Sequence, residues 1–277
     1  MDPNSLLHVF DLVASSGQTL TVEEKSVLCT SLVILKKNYK FNRVLFWGKI
    51  LGLQNDYYIA QGRGEDEIQD LKYLYSLNSM EWSLLPPATE SVIQEVSKAA
   101  KGRFVGEPSY VYEHVEVLRK GEGEEAESEE LVIKVTEEKR LAVTVYQINQ
   151  EVSVVPRGAF IRSPHGLVQA NRSFGGLTYS EAGKLEHFMH FVKQRNMKKR
   201  SILEMGELNP VMDFMDTLSD DIPNGSWHLR FEYANHACVI RSHLWLGLTF
   251  YQIPMTPQHG YVYIGDGIRN LSLPFML

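Results

Sequence analysis

The stretch Arg43-Val44-Leu45-Phe46-Trp47-Gly48-Lys49-Ile50-Leu51-Gly52-Leu53, then Gln54-Asn55-Asp56, then Tyr57-Tyr58-Ile59-Ala60-Gln61, decides the fold. Both flanks are dense in β-branched, aromatic and aliphatic residues, which suit a pleated, buried surface. The polar trio between them is turn chemistry, because Asn and Asp side chains bond their own backbone. The reading is a β-hairpin, with a third strand over Leu71 to Leu77 after a loop holding Gly62, Gly64 and the acids at 65–67. Trp47, on a strand between Phe46 and Ile50, is expected in the core.

Upstream of the hairpin the pattern is helical. Leu6, Leu7, Phe10, Leu12 and Val13 recur near a 3.6-residue period, and Ser15-Ser16-Gly17 stops the run. Thr21-Val22-Glu23-Glu24 fits a capping box, in which Thr accepts a free helix N–H and Glu reaches back. The helix it opens carries Leu28, Leu32 and Leu35 on one face. It ends near Lys36-Lys37-Asn38, where two cations suit the negative end of the helix dipole.

Downstream, Pro86-Pro87 breaks the chain and a helix is predicted from Thr89 to about Lys101, with Val92, Ile93 and Val96 inward. Tyr110 to Tyr112 and Leu131 to Val135 read as extended. Residues 119–130 include the acidic run Gly121 to Glu130, whose like charges and lack of apolar residues predict a flexible loop. Glu137 to Gln150 fits both a helix, through Leu141, Val145 and Ile148, and a strand, through Leu141, Val143 and Val145. Strands are expected at Val152 to Val155 and Ala159 to Ile161. Thr178-Tyr179-Ser180-Glu181 is a second capping box, expected to open a helix carrying Leu185, Phe188, Met189 and Val192. Asn209-Pro210 reads as an N-cap with Pro at the first helical position, starting a short helix with Met212, Met215 and Leu218. The last third is β-rich: Ser226 to Glu232, Cys238 to Arg241, Leu248 to Ile253 and Tyr261 to Ile264, with turns at Asn224-Gly225 and Asp266-Gly267. The fold class is therefore α+β: N-terminal helices, a mixed and mostly antiparallel sheet with packed helices, and a β-rich C-terminal part. The whole chain, 1–277, reads as a single domain, with two lobes as the alternative.

Composition narrows the function classes. The 28 basic and 34 acidic residues give a net charge of −6, which disfavours broad nucleic-acid binding. The one dense basic cluster, Lys198-Lys199-Arg200, reads as a solvated loop. Two cysteines, Cys29 and Cys238, make neither a disulfide framework nor a zinc site and read as small core residues. With no signal peptide and no long apolar run, the expectation is a soluble protein of a reducing compartment. The sequons at Asn171, Asn224 and Asn270 should then stay unmodified.

Searches for chemistry give little. His187 and His190 would share a predicted helix face, but two ligands are too few for a metal. Asp213 and Asp216 would also share a face, where a carboxylate pair can do acid–base work or hold Mg²⁺; the apolar residues between them read as an ordinary amphipathic helix. No phosphate-binding glycine loop and no nucleophile elbow occur. The positive signal is aromatic: Trp227, Phe231, Tyr233, Trp245, Phe250, Tyr251, Tyr261, Tyr263 and Phe275 crowd the C-terminal part. Most fit a β core with cross-strand ring pairs, and some fit an interface.

Several blocks, in order, resemble the radial spoke head protein 9 family of motile cilia and flagella. They are Phe46-Trp47-Gly48-Lys49-Ile50-Leu51-Gly52 with Asp56-Tyr57-Tyr58-Ile59-Ala60; Glu81-Trp82-Ser83-Leu84-Leu85-Pro86-Pro87-Ala88-Thr89; and Pro156-Arg157-Gly158-Ala159. Asp213-Phe214-Met215-Asp216, Asp221-Ile222-Pro223 and Gly225-Ser226-Trp227 follow. The last are Gly260-Tyr261-Val262-Tyr263-Ile264-Gly265 and Leu273-Pro274-Phe275-Met276-Leu277. The hairpin block also resembles the larger paralogous head proteins. One departure is Leu246, where the resemblance leads us to expect Pro between Trp245 and Gly247.

The resemblance implies a non-catalytic structural subunit of the radial spoke head in the cytoplasm and ciliary axoneme, needed for head assembly and for relaying central-pair signals to dynein. It implies no catalytic, cofactor-binding or metal residues and no cofactor. Its partners would be other radial spoke head proteins, especially the larger paralogues, within a large complex and without nucleic acid or membrane. Candidate interface residues are Trp245, Tyr251, Tyr261, Tyr263 and Phe275. Two other readings stay open: an enzyme or small-ligand module using Asp213 and Asp216, and a cytosolic adaptor whose acidic loop binds a basic partner.

Overall fold

The hairpin forms as its sequence dictates, and a β-bulge decides what it does with its rings. In a computed structural model, strands β1 (Arg43–Ile50) and β2 (Tyr57–Arg63) pair antiparallel, and Phe46 faces Ala60 while Gly48 faces Ile59. Trp47 is the extra residue. A one-residue insertion reverses the in–out alternation beyond it. Val44 and Phe46 therefore join the core under the N-terminal helices, whereas Trp47 and Ile50 join the core on the opposite face. Along β2 the same division runs residue by residue: Tyr57 and Ile59 on one face, Tyr58 and Ala60 on the other. Burial on both faces explains why this strand reads as a continuous apolar run.

Residues 1–277 are described except 14–16, 18, 121–126, 195–200, 202, 204–205, 207 and 277; for 117–120 and 127–131 the backbone alone is described. The main sheet has eight strands and draws on both ends of the chain. After β2 come β3 (Leu71–Ser76) and β4 (Ser83–Leu84); far downstream come β11 (Trp227–Glu232), β12 (Ala237–Ser242), β13 (Leu248–Gln252) and β14 (His259–Gly265). The order is β11-β12-β13-β14-β1-β2-β3-β4. Every pairing is antiparallel except β14 with β1, where Gly48 lies opposite Tyr263. A Cβ on Gly48 would sit 2.0 Å from the Tyr263 carbonyl oxygen, so only glycine lets these strands approach.

Helices α1 (Leu6–Val13) and α2 (Val22–Tyr39) cover one face. The Thr21 capping box is present in both directions, and Leu28, Leu32 and Leu35 are buried as predicted. Helix α3 (Glu90–Ala99) also forms as predicted, with Val96 buried and Val92 and Ile93 packed against the same cluster. The ambiguous segment is helix α4 (Glu137–Val152). Leu141, Val145, Ile148 and Val152 form the stripe that packs under the sheet, while Val143 packs on the other side against Val96. Burial on two sides produced both periodicities in the sequence. The observed class is α+β.

Three sequence expectations are corrected. Residues 119–130 are not one loop: β5 (Val111–Lys120) and β6 (Glu127–Thr136) extend into it, with Lys120 opposite Glu127 in register. Residues 121–126, like Lys198-Lys199-Arg200, lie outside the described residues.

The second capping box is real, with Thr178 and Glu181 bonding reciprocally, but its helix α5 (Tyr179–Ala182) lasts one turn. Residues Leu185–His187 form a 3₁₀ turn, and Phe188–His190 become a strand, β10, paired with β7 (Val154–Pro156). Phe188 and Met189 feed two different cores, which needs the two-residue period of a strand.

At Asn209 the N-cap forms a single turn, with Met212 and Asp213 N–H groups bonding the Asn209 carbonyl. No helix follows through 211–217. The Asp213 carboxylate instead accepts from the Arg157 guanidinium and from the Asn209 N–H, which pins the turn in place. β8 (Phe160–Arg162) and β9 (Val168–Ala170) complete the described strands.

Candidate interaction surface

Four of the five aromatic candidates belong to the core of the chain itself. Trp245, Tyr251, Tyr261 and Tyr263 are 0–7% exposed, whereas Phe275 is 90% exposed. Tyr251, Tyr261 and Tyr263 are enclosed because β13 and β14 lie inside an eight-stranded sheet covered on both faces, and Trp245, in the turn before β13, packs into the same core as Tyr261 and Tyr263. Their polar tips are also engaged: the Trp245 indole donates to Glu151, the Tyr261 hydroxyl to Asn149, and the Tyr263 hydroxyl accepts from the Gly267 N–H. These rings therefore stabilise the fold and offer no free area to a partner.

Phe275 sits in a terminal helical turn, Leu273–Met276, beside a cleft of about 470 Å³. Leu271, Pro274 and Ile222 line that cleft, with Glu151, Asp221 and Arg269 supplying charge. Ile222, Leu271, Phe275 and Met276 are all exposed. Sequence reasoning picked out only Phe275 of these four. Ile222 and Leu271 come from separate segments, and only the chain's path brings them to one cleft.

The candidate chemical residues do not form the pairs their spacing promised. Asp213 is buried, and its carboxylate forms a two-bond pair with Arg157 at 2.6 and 2.7 Å, which holds that guanidinium above its usual pKa. Asp216 is buried at the cleft, and its carbonyl accepts from the His190 N–H. The two acids share no helix face. His187 lies in the 3₁₀ turn and His190 in β10, where its Nε2 is 2.9 Å from Asp221 Oδ1; the Trp227 indole donates to the other Asp221 oxygen at 2.6 Å. This Asp221–His190–Trp227 contact joins three segments, and no sequence spacing announces it. Among the described residues no group of three or more His, Cys, Asp or Glu is placed to hold a metal ion, and no helix is long and apolar enough to cross a membrane.

The sequence also hid Glu137, which is 0% exposed. Its two oxygens accept from the N–H groups of Val105, Gly106 and Glu107 and from the hydroxyls of Tyr57 and Tyr112. Burial pushes its pKa up, but the bonds from Tyr112, Val105, Tyr57 and Gly106 outweigh burial and hold it below the usual carboxylate range. The signal available was a Glu in the first turn of a helix, which ordinarily means a solvated dipole partner.

Comparison with known proteins identifies the family. Residues 2–159 match the model of the radial spokehead-like protein family. The chain is 57% identical to radial spoke head protein 9 homolog of Danio rerio, 50% to that of Homo sapiens and 45% to that of Xenopus tropicalis, each over 100% of both chains. The shared length takes in both halves of the eight-stranded sheet and the cleft: this chain belongs to the radial spoke head protein 9 family.

Proposed function

We propose that this chain is a non-catalytic structural subunit of the radial spoke head, needed to complete the head and to relay central-pair signals to dynein. The coarser part follows from family membership: it is a radial spoke head component, at work in the axoneme of motile cilia and flagella. The observation that carries the reading is full-length identity to proteins named for that head. The fold is consistent with a scaffold, since its polar clusters hold segments together: Asp213 with Arg157, Asp221 with His190 and Trp227, and Glu137 with the 105–107 loop.

The larger head paralogues are the proposed partners. Permanent complexes commonly bury about 2,000 Å² or more, with an apolar centre. The exposed set Ile222, Leu271, Phe275 and Met276 beside the cleft is the proposed part of that interface. Deleting the gene should leave cilia that form but beat abnormally, with spokes lacking head density in axoneme tomograms. Complete heads and a normal waveform in null cilia, or a protein absent from cilia, would overturn the reading.

A further inference from the structure

Helix α2 carries apolar residues on both of its faces. Leu28, Leu32 and Leu35 point into the core. The outward stripe runs Val22, Ser26, Thr30, Val33 and Ile34, at the spacing of one helix face, and all five are exposed. Val22 is 73% exposed, Ile34 53% and Val33 43%. The two hydroxyls in the stripe are already spent on the helix itself: Ser26 Oγ donates to the Val22 carbonyl and Thr30 Oγ1 to the Ser26 carbonyl. A surface helix ordinarily turns charged residues outward, and a helix that is apolar on every side is a buried one. Here the core covers only the inner side.

Charge on the outer face is confined to its ends. Glu23 stands in the first turn, and Lys36, Lys37 and the C-cap residue Lys40 cluster at the last. All three lysines are exposed, and none has an ion-pair partner among the described residues, although the chain as a whole carries a net charge of −6. Nearby lysines do find acids: Lys25 pairs with Asp11, and Lys49 with Glu24 and Asp56. The carbonyl end of a helix offers roughly half a negative charge, too little to balance three ammonium groups.

This face is separate from the cleft. α2 lies over the core of Phe46, Tyr58 and Val262 on one side of the sheet. The cleft borders Glu151 and Val152 at the end of α4, which packs under the other side.

We propose that the outer face of α2 is a second docking surface, and that it takes an acidic amphipathic helix of another chain in the same assembly. The identity of that assembly rests on the proposed function; the docking face rests on α2 alone. A helix is the matching shape, because rows of residues four apart leave grooves that receive the ridges of a second helix. Apolar residues of the incoming helix cover Val33 and Ile34, and its carboxylates meet Lys36, Lys37 and Lys40. Opposite charge at one end fixes its register. The acidic run Gly121 to Glu130 of a second copy has the charge but no apolar stripe to cover this one.

Axonemes and the isolated full chain are treated in parallel with an amine-acylating reagent and, separately, with a zero-length carbodiimide crosslinker, then digested for mass spectrometry. Acylation of Lys36, Lys37 and Lys40 should drop by about tenfold in axonemes, as amines enclosed in an interface lose contact with water. The carbodiimide should join these lysines to Asp or Glu of a different protein, in a segment whose apolar residues recur at helical spacing. Equal acylation in the two samples overturns the proposal. So does protection without such a crosslink, or crosslinks only to Gly121 to Glu130 of a second copy or to an acidic tail without apolar residues. A chain absent from axonemes overturns the proposed function instead, before any lysine is compared. Ile34→Glu, at an exposed position, should leave the melting curve of the isolated chain unmoved and cut its retention in salt-washed axonemes by about tenfold, since the carboxylate would be buried against apolar groups. A variant that melts and is retained like the wild type refutes the docking face.

Discussion

Replacing Glu137 with Gln should destabilise the protein by about 2.5–6 kcal/mol, although the two side chains have the same shape. Oε1 accepts from Tyr57 at 2.7 Å, Gly106 at 2.6 Å and Glu107 at 3.1 Å; Oε2 accepts from Val105 at 2.8 Å and from the Tyr112 hydroxyl. An amide keeps one oxygen, so its best orientation retains the first three and turns an NH₂ toward the other two. The Tyr112 hydroxyl can rotate and accept, although it already accepts from Arg140. The Val105 N–H cannot rotate, and an orphaned buried donor costs roughly 1–3 kcal/mol. The three retained bonds also lose charge assistance, about 0.5–1 kcal/mol each, given the difference between charged and neutral bonds. Urea denaturation of Glu137→Gln against the wild type at pH 7 measures the sum. The pH dependence checks the cause. A carboxylate held below its usual range stabilises the fold above its unfolded pKa of 4.5 and loses that contribution as pH falls through the folded value. The variant should therefore lose less stability on acidification than the wild type. A difference below about 1 kcal/mol at pH 7, or identical acid profiles, would refute the idea that this carboxylate ties α4 to the 105–107 loop and to β2.

Trp47→Ala should cost about 3–5 kcal/mol in a denaturant melt, because the ring is 1% exposed and packs on Tyr263. Asp213→Asn should cost about 1–3 kcal/mol by losing charge-assisted bonds to Arg157 and the Asn209 N–H; Arg157 is 39% exposed, so solvent screening keeps the value low, and an unchanged melt would argue against the pinned turn. Leu246→Pro should stabilise by about 0.4–1 kcal/mol: the Leu248 N–H bonds the Trp245 carbonyl across a turn with Gly247 at φ 110°, and the second position of such a turn accepts proline. A lower melting temperature would show that Leu246 has a different backbone angle. Burial pushes the Cys238 thiol up to about 12, so iodoacetamide at pH 9 should label partly exposed Cys29 and reach Cys238 only on unfolding; equal labelling of both would contradict the burial.

The division between what was legible and what was not follows interaction range. The hairpin, the Thr21 and Thr178 capping boxes, helices α2 and α3 and the C-terminal strands rest on contacts a few residues apart, and local pattern found them. Whole-chain block order, read as a resemblance, found the family. Helix against strand at 137–150 and at 185–192 was not decidable locally, because the answer depends on which cores take Val143, Phe188 and Met189. The candidate surface was the least legible part: alternation shows that Trp245, Tyr251, Tyr261 and Tyr263 are strand or turn residues but not that both faces of their sheet are covered. The sequence by itself determined the α+β class, most element positions and the family. Only the tertiary structure decided that β1 meets β14, that an extra residue at Trp47 splits its strand between two cores, and that Glu137 is enclosed, because each depends on segments tens to hundreds of residues apart arriving at one place.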